Sequence, residues 1–159
     1  MAAKRAQRQT LNRVPAPTFT VSATIRAAPE TVFAYVADLS THGEWAGNAL
    51  RVEPLDDAPV GVGKKYRSSA TARGREFHAV LTVTEYSAPN VFGFSGSDET
   101  GKFSHRFTFE KIADGTRVTR TVSFDLSLAQ YAFYLVTLHR VRLPAARTAL
   151  EKLKQQLEK

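Results

Sequence analysis

The chain contains no cysteine, which excludes disulfides, thiolate nucleophiles and cysteine-ligated zinc. It has one methionine and one tryptophan, and nowhere in its 159 residues does an apolar run approach the roughly 20 residues a membrane-spanning helix needs. A glycine-rich phosphate loop and a nucleophile elbow are also missing, so kinase and hydrolase chemistry are not expected. The four histidines, His42, His78, His105 and His139, do not fall at metal-ligand spacing with acids, so neither a metal nor a cofactor is expected. Acid is lacking from the first 17 residues, "MAAKRAQRQTLNRVPAP", where Lys4, Arg5, Arg8 and Arg13 supply +4 of the net +7. That stretch has no apolar core of a secretory signal, and its Pro-Ala-Pro end suits an extended linker. Residues 1–17 therefore read as a basic, disordered tail, and 18–159 as a single domain. The tail could make weak contact with an anionic membrane surface; no basic and aromatic patch follows it, so no nucleic-acid partner is expected.

What is present is ordinary globular material, 43% hydrophobic and 23% charged, enough for one core. A soluble cytoplasmic protein, monomer or homodimer, is the expectation. "TFTVSATIR" at 18–26 alternates Phe19, Val21, Ala23 and Ile25 against Thr18, Thr20, Ser22 and Thr24, a half-buried strand. In "APETVFAYVADL", Pro29 suits a first helical turn, Glu30 favours the amino end, and Val32, Phe33 and Val36 recur at helical spacing, predicting a helix over 29–37. Gly43 and Gly47 keep any second helix brief. Six antiparallel strands are predicted at about 49–55, 63–72, 75–86, 91–97, 102–112 and 116–127, separated by Gly, Pro, Asn and Asp turns. The final segment, 129–158, is helical, and Pro144 must kink or divide it because it lacks an amide donor and crowds the preceding turn.

One strand stands out. In "KFSHRFTFE", residues 102–110, Phe103, His105, Phe107 and Phe109 share a face. A primed turn on Asp114-Gly115 would place Phe103 opposite Leu126, His105 opposite Phe124, Phe107 opposite Val122 and Phe109 opposite Arg120. The face is apolar apart from His105 and Arg120.

The order of strand, two short helices, six antiparallel strands and long carboxyl-terminal helix resembles the helix-grip fold of the START-like (SRPBCC) superfamily. Three stretches resemble its polyketide cyclase/dehydrase and lipid-transport branch: "IRAAPETVFAYVADLSTHGEW", "VGVGKKYR" and the terminal "LEKLKQQLEK". The resemblance spans about 18–159 and implies an α+β fold, a seven-stranded curved sheet wrapped around the long helix, with a cavity between them for an apolar or amphipathic molecule. The branch includes cyclases, lipid carriers and sensors. The loop before Trp45 reads "THGEW", without the proline frequent there.

If the apolar sheet face lines a cavity, its few polar groups would orient a ligand. His105 is a candidate hydrogen-bonding or acid/base group, or else a buried histidine satisfied internally. Arg120 needs an acid, a ligand or a route to solvent, because a permanent charge is not buried unpaired. Tyr66, beside the small Ser68 and Ala70, is a second candidate acid/base. Phe107, Phe109 and Phe124 would supply apolar wall, and Trp45, Tyr35 and Tyr134 its mouth or supports. His78 reads as outward-facing, and Arg140, Arg142 and Arg147 as a solvated helix face. The functions implied are carriage or sensing of a hydrophobic small molecule (lipid, isoprenoid or polyketide-like), an aromatase/cyclase-like enzyme, or a chaperone-activator-like interaction domain.

Overall fold

The computed structural model describes residues 16–47, 49–99 and 101–159. The basic tail, apart from its last two residues, lies outside them.

Strand β1 (Thr18–Ile25) leads into helix α1 (Pro29–Ala37) and a 3-10 turn (Leu39–Glu44); these are followed by β2 (Arg51–Pro54), β3 (Lys65–Ala72), β4 (Arg75–Ser87), β5 (Val91–Asp98), β6 (Gly101–Ile112) and β7 (Gly115–Asp125). The seven strands form one antiparallel sheet in the order β1-β7-β6-β5-β4-β3-β2. Helix α2 (Leu128–Thr137), a π turn (Leu138–Arg142) and helix α3 (Leu143–Leu157) complete the chain. This is the helix-grip fold.

Local chemistry explains the elements. In β1, Val21 and Ile25 are buried and Phe19 and Ala23 half-buried on the inward face, while Thr18, Thr20, Ser22 and Thr24 are exposed, as their alternation requires. On the outer face Thr20 and Ser22 hydrogen-bond Thr121 and Thr119 of β7. Helix α1 begins on Pro29, carries Glu30 in its first turn and buries Val32, Phe33 and Val36. Ser127 and Gln130 form a reciprocal capping box that starts α2.

The β6–β7 register differs from the sequence expectation by two residues. Phe103 pairs with Phe124, His105 with Val122, Phe107 with Arg120 and Phe109 with Val118. The loop residues are Ala113 and Asp114, flanked by Ile112 and Gly115, and not Asp114-Gly115. Gly115 is spent on a different constraint: its φ is +138°, and a Cβ there would lie 2.1 Å from the Ile25 carbonyl oxygen. A two-residue shift preserves side-chain parity, so the inward row is the predicted one.

Pro144 does its work one turn upstream. Without an amide to donate, it disturbs the α-helical ladder before it, and the Leu143 amide bonds the Leu138 carbonyl five residues back. The helix remains continuous through this widened turn.

The space between sheet and helices is unevenly filled. At one end α1, the 3-10 turn and the carboxyl half of α3 pack Val32, Val36, Leu39, Leu150 and Leu153 against Ile25, Phe92, Phe107 and Val118. Toward α2 and the π turn the packing gives way to a cavity.

Candidate functional site

The cavity has a volume of about 650 Å³. Its sheet wall comes from β1, β6 and β7 (Phe19, His105, Arg120, Val122, Phe124), and its helical wall from Phe133, Thr137, Val141, Arg142, Ala145 and Ala146. The β3–β4 hairpin, with Thr71, Ala72, Arg73 and Phe77, closes another side, and Ala46 joins it from the loop after the 3-10 turn. Phe133 and Val141 are 57% and 46% exposed, which places them at the mouth.

His105 sits in the aromatic row as one of its rings. It stacks on Phe94 at 4.8 Å and meets Phe103 edge-on at 5.7 Å. Its Nδ1 accepts hydrogen bonds from Arg120, 2.9 Å from Nη2 and 3.3 Å from Nε. An arginine nitrogen only donates, so Nδ1 is unprotonated and the imidazole proton rests on Nε2. Burial, then the charges of Arg120 and His42, hold the His105 pKa well below its usual value. The ring is therefore neutral at physiological pH; His105 lines the cavity, and among the described residues its Nε2–H has no acceptor.

Arg120 occupies the inward row of β7, opposite Phe107 and Val21. Its guanidinium lies 5.7 Å from the Phe107 ring centre, and burial lowers its pKa to about 10. It remains a cation at neutral pH. No ion pair engages it among the described residues.

Arg142, from the π turn, is the second cation in the wall. Its guanidinium lies over Phe124 at 4.8 Å and Tyr134 at 5.3 Å, and its Nε donates to Thr137 Oγ1. Sequence reasoning assigned it to a solvated face; the widened turn before Pro144 rotates it inward instead. That proline was the available signal. Phe19, Val122, Phe133 and Val141 also went unassigned as cavity wall, although strand parity already gave Phe19 an inward face.

The remaining candidates lie outside this wall. Tyr66 is 2% exposed and packs in the core with Lys64 beside its ring, and burial raises its pKa. Phe107 and Phe109 are buried behind the lining, the latter edge-on to Phe33 at 5.4 Å. Trp45 packs on His42 and Phe107, and its Nε1, like Tyr134 Oη, has no hydrogen-bond partner among the described residues. Tyr35 donates to Glu44, which fastens α1 to the 3-10 turn; burial and that carboxylate raise its pKa to about 12. Tyr134 backs Phe124 at 5.7 Å. His78 is exposed, as its parity indicated.

Sequence reasoning gave His42 no role beyond excluding a metal. It is a core histidine: its Nε2 donates to the Val36 carbonyl at 2.8 Å, and burial lowers its pKa to about 4. Among the described residues no group of His, Asp and Glu could hold a metal. No described helix is long and apolar enough to cross a membrane.

A curved antiparallel sheet gripping a long helix, with a cavity between them, defines a START-like (SRPBCC) domain. Residues 16–158 match the family model described as polyketide cyclase / dehydrase and lipid transport, and the chain belongs to that family. No curated protein matches it. Among solved structures it is similar to TTHA0849 from Thermus thermophilus, at 19% identity over 89% of this chain and 97% of that one, with a TM-score of 0.72. A protein from Arthrobacter aurescens is 19% identical over 92% and 88% of the two chains, with a TM-score of 0.70. The di-domain aromatase/cyclase BexL from the BE-7585A biosynthetic pathway is 16% identical over 99% of this chain and 55% of that chain, with a TM-score of 0.70. At these identities the likeness establishes the fold.

Proposed function

We propose that the domain binds a hydrophobic small molecule in this cavity, as a carrier or sensor. The observation that carries the reading is the wall itself: aromatic and aliphatic side chains from sheet, hairpin and helix, interrupted by a few polar groups from β6, β7 and the π turn. Apolar area removed from water contributes about 25 cal/mol per Å², so covering one ring system or alkyl chain supplies several kcal/mol. Native mass spectrometry of protein purified from its own host tests this. A bound lipid-like or polyketide-like mass supports it. Ligand-free protein that also binds nothing across a lipid and aromatic library removes it.

A cyclase reading has one observation in its favour: Arg120 and His105, two donor side chains bonded to each other, both line the cavity and could hold an enolate oxygen. The same geometry weakens it as proton-transfer machinery. His105 has its acceptor nitrogen occupied by Arg120 and its pKa far from neutrality, so it is a poor general base. Tyr66 lies outside the cavity wall. Binding is thus the better-supported role, and turnover of a poly-β-ketone substrate lost in Arg120→Gln would reverse that order.

A further inference from the structure

The cavity is unbalanced in charge. Among the described residues, Arg73, Arg120 and Arg142 all line it, with His105, and no carboxylate does. Elsewhere the fold matches its enclosed and bridging cations with acids. Lys64, 7% exposed, holds Asp56 at 2.7 Å and two backbone carbonyls. Arg106 grips Glu85 and Arg117 grips Glu110, each at 2.8 Å. Arg120, set on an apolar floor of Phe107 and Val21, has among the described residues a neutral ring nitrogen as its hydrogen-bond partner and no carboxylate. A guanidinium removed from water without a counterion is costly, and charge-assisted bonds to an oxyanion offset that cost better than any neutral acceptor.

We propose that the ligand is an apolar acid, whose hydrocarbon or aromatic body lies against the phenylalanines and whose single carboxylate or equivalent oxyanion docks on Arg120, with His105 Nε2–H beside it. This rests on the small-molecule-binding reading above and narrows it to one ligand class. The Arg120–His105 pair fits one singly charged head: Arg120 supplies a planar fork of donors, and its bond to Nδ1 fixes the tautomer that makes Nε2 a further donor. Arg142, held over Phe124 and Tyr134, adds positive potential from the opposite wall. Neutral ligands of the same shape leave Arg120 covered without a counterion, so the pocket discriminates by charge as well as by shape.

The test is calorimetric titration of the delipidated full-length chain with dodecanoate, dodecanol, methyl dodecanoate and acetate. Dodecanoate is expected to bind at least about tenfold tighter than the alcohol or ester, with acetate far weaker. In Arg120→Gln the acid's advantage disappears while dodecanol still binds, and Arg120→Lys restores part of it; retained near-UV circular dichroism verifies the fold. Equal affinity for acid and alcohol overturns the anion assignment and leaves small-molecule binding standing. Acetate binding as tightly as dodecanoate overturns it too, since the apolar body would then be irrelevant. An undiminished preference in Arg120→Gln removes Arg120 as the anchor. If none of the three dodecyl compounds binds, the cavity reading fails along with the inference.

Discussion

Replacing Arg120 by methionine should make the ligand-free protein more stable. Burial lowers the Arg120 pKa from 12.5 to about 10. The folded state thus holds that proton less tightly than the unfolded chain does. Below about pH 10 the proton is bound in both states, so the folded state carries the whole penalty, which disappears only as pH rises past the unfolded value. A displacement of this size corresponds to about 3 kcal/mol against folding at neutral pH. Methionine keeps the apolar stem and removes the charge. It also removes the bonds to His105, worth about 1 kcal/mol, and the contact with the Phe107 ring, worth about 0.5–1 kcal/mol. The net expectation is a gain of about 1 kcal/mol, or a rise of about 2–4 °C in Tm for a domain of this size. Differential scanning calorimetry on delipidated protein measures it, and the gain should be flat between about pH 7 and pH 9, because arginine titrates in neither state there. A Tm lowered by several degrees would refute the reasoning, since it would mean that the guanidinium is fully satisfied without a ligand.

Further expectations follow from the same geometry. Because burial depresses the His42 pKa from 6.5 to about 4, its contribution to stability is intact above 6.5 and is lost as pH falls toward 4; urea melts should show a loss of order 3 kcal/mol from this residue across that window. His105 adds loss of the same sign, and its imidazole resonances in an NMR titration should stay those of the neutral Nε2–H form well below pH 6.5. Ala145→Phe, at an exposed position of the helical wall, should weaken dodecanoate binding with little change in Tm, whereas Phe107→Ala, at a fully buried ring, should cost about 3–5 kcal/mol in denaturant melts. Gly115→Ala forces a Cβ onto the Ile25 carbonyl and a left-handed φ onto alanine; a loss of at least about 2 kcal/mol is expected, and an unchanged midpoint would contradict the observed approach of Gly115 to the end of β1.

Periodicity was enough to place the elements. The helix over 29–37 coincides with α1, and the expected strands fall within a few residues of those observed, because alternation and turn residues are local signals. Strand parity likewise put His105, Arg120 and Phe124 on the inward face. Pairing was less legible. Asp114-Gly115 is a strong turn signal, yet Gly115 answers to a clash with the end of β1, a partner 90 residues away in sequence that no hairpin rule contains. Arg142 was misjudged for a related reason: regular helical spacing assigns it to solvent, and only the π turn re-aims it. Tyr66 shows the converse. Its strand does reach the cavity, through Thr71 and Ala72 at the hairpin end, but Tyr66 lies at the other end of β3, where the phenol is enclosed by the core.

The uneven filling between sheet and helices separates two demands on the sequence. The close-packed end, from Val32 and Leu39 to Leu150 and Leu153, carries the cohesion of the fold, while the residues that line the cavity sit on the β3–β4 hairpin, on β1, β6 and β7, and on the helical stretch around the π turn. If the cavity binds as proposed, exchanges in the second set would change what is bound without dissolving the first. Such a scaffold can drift from one guest to another through single substitutions, each tolerated because the other half of the molecule already folds the chain.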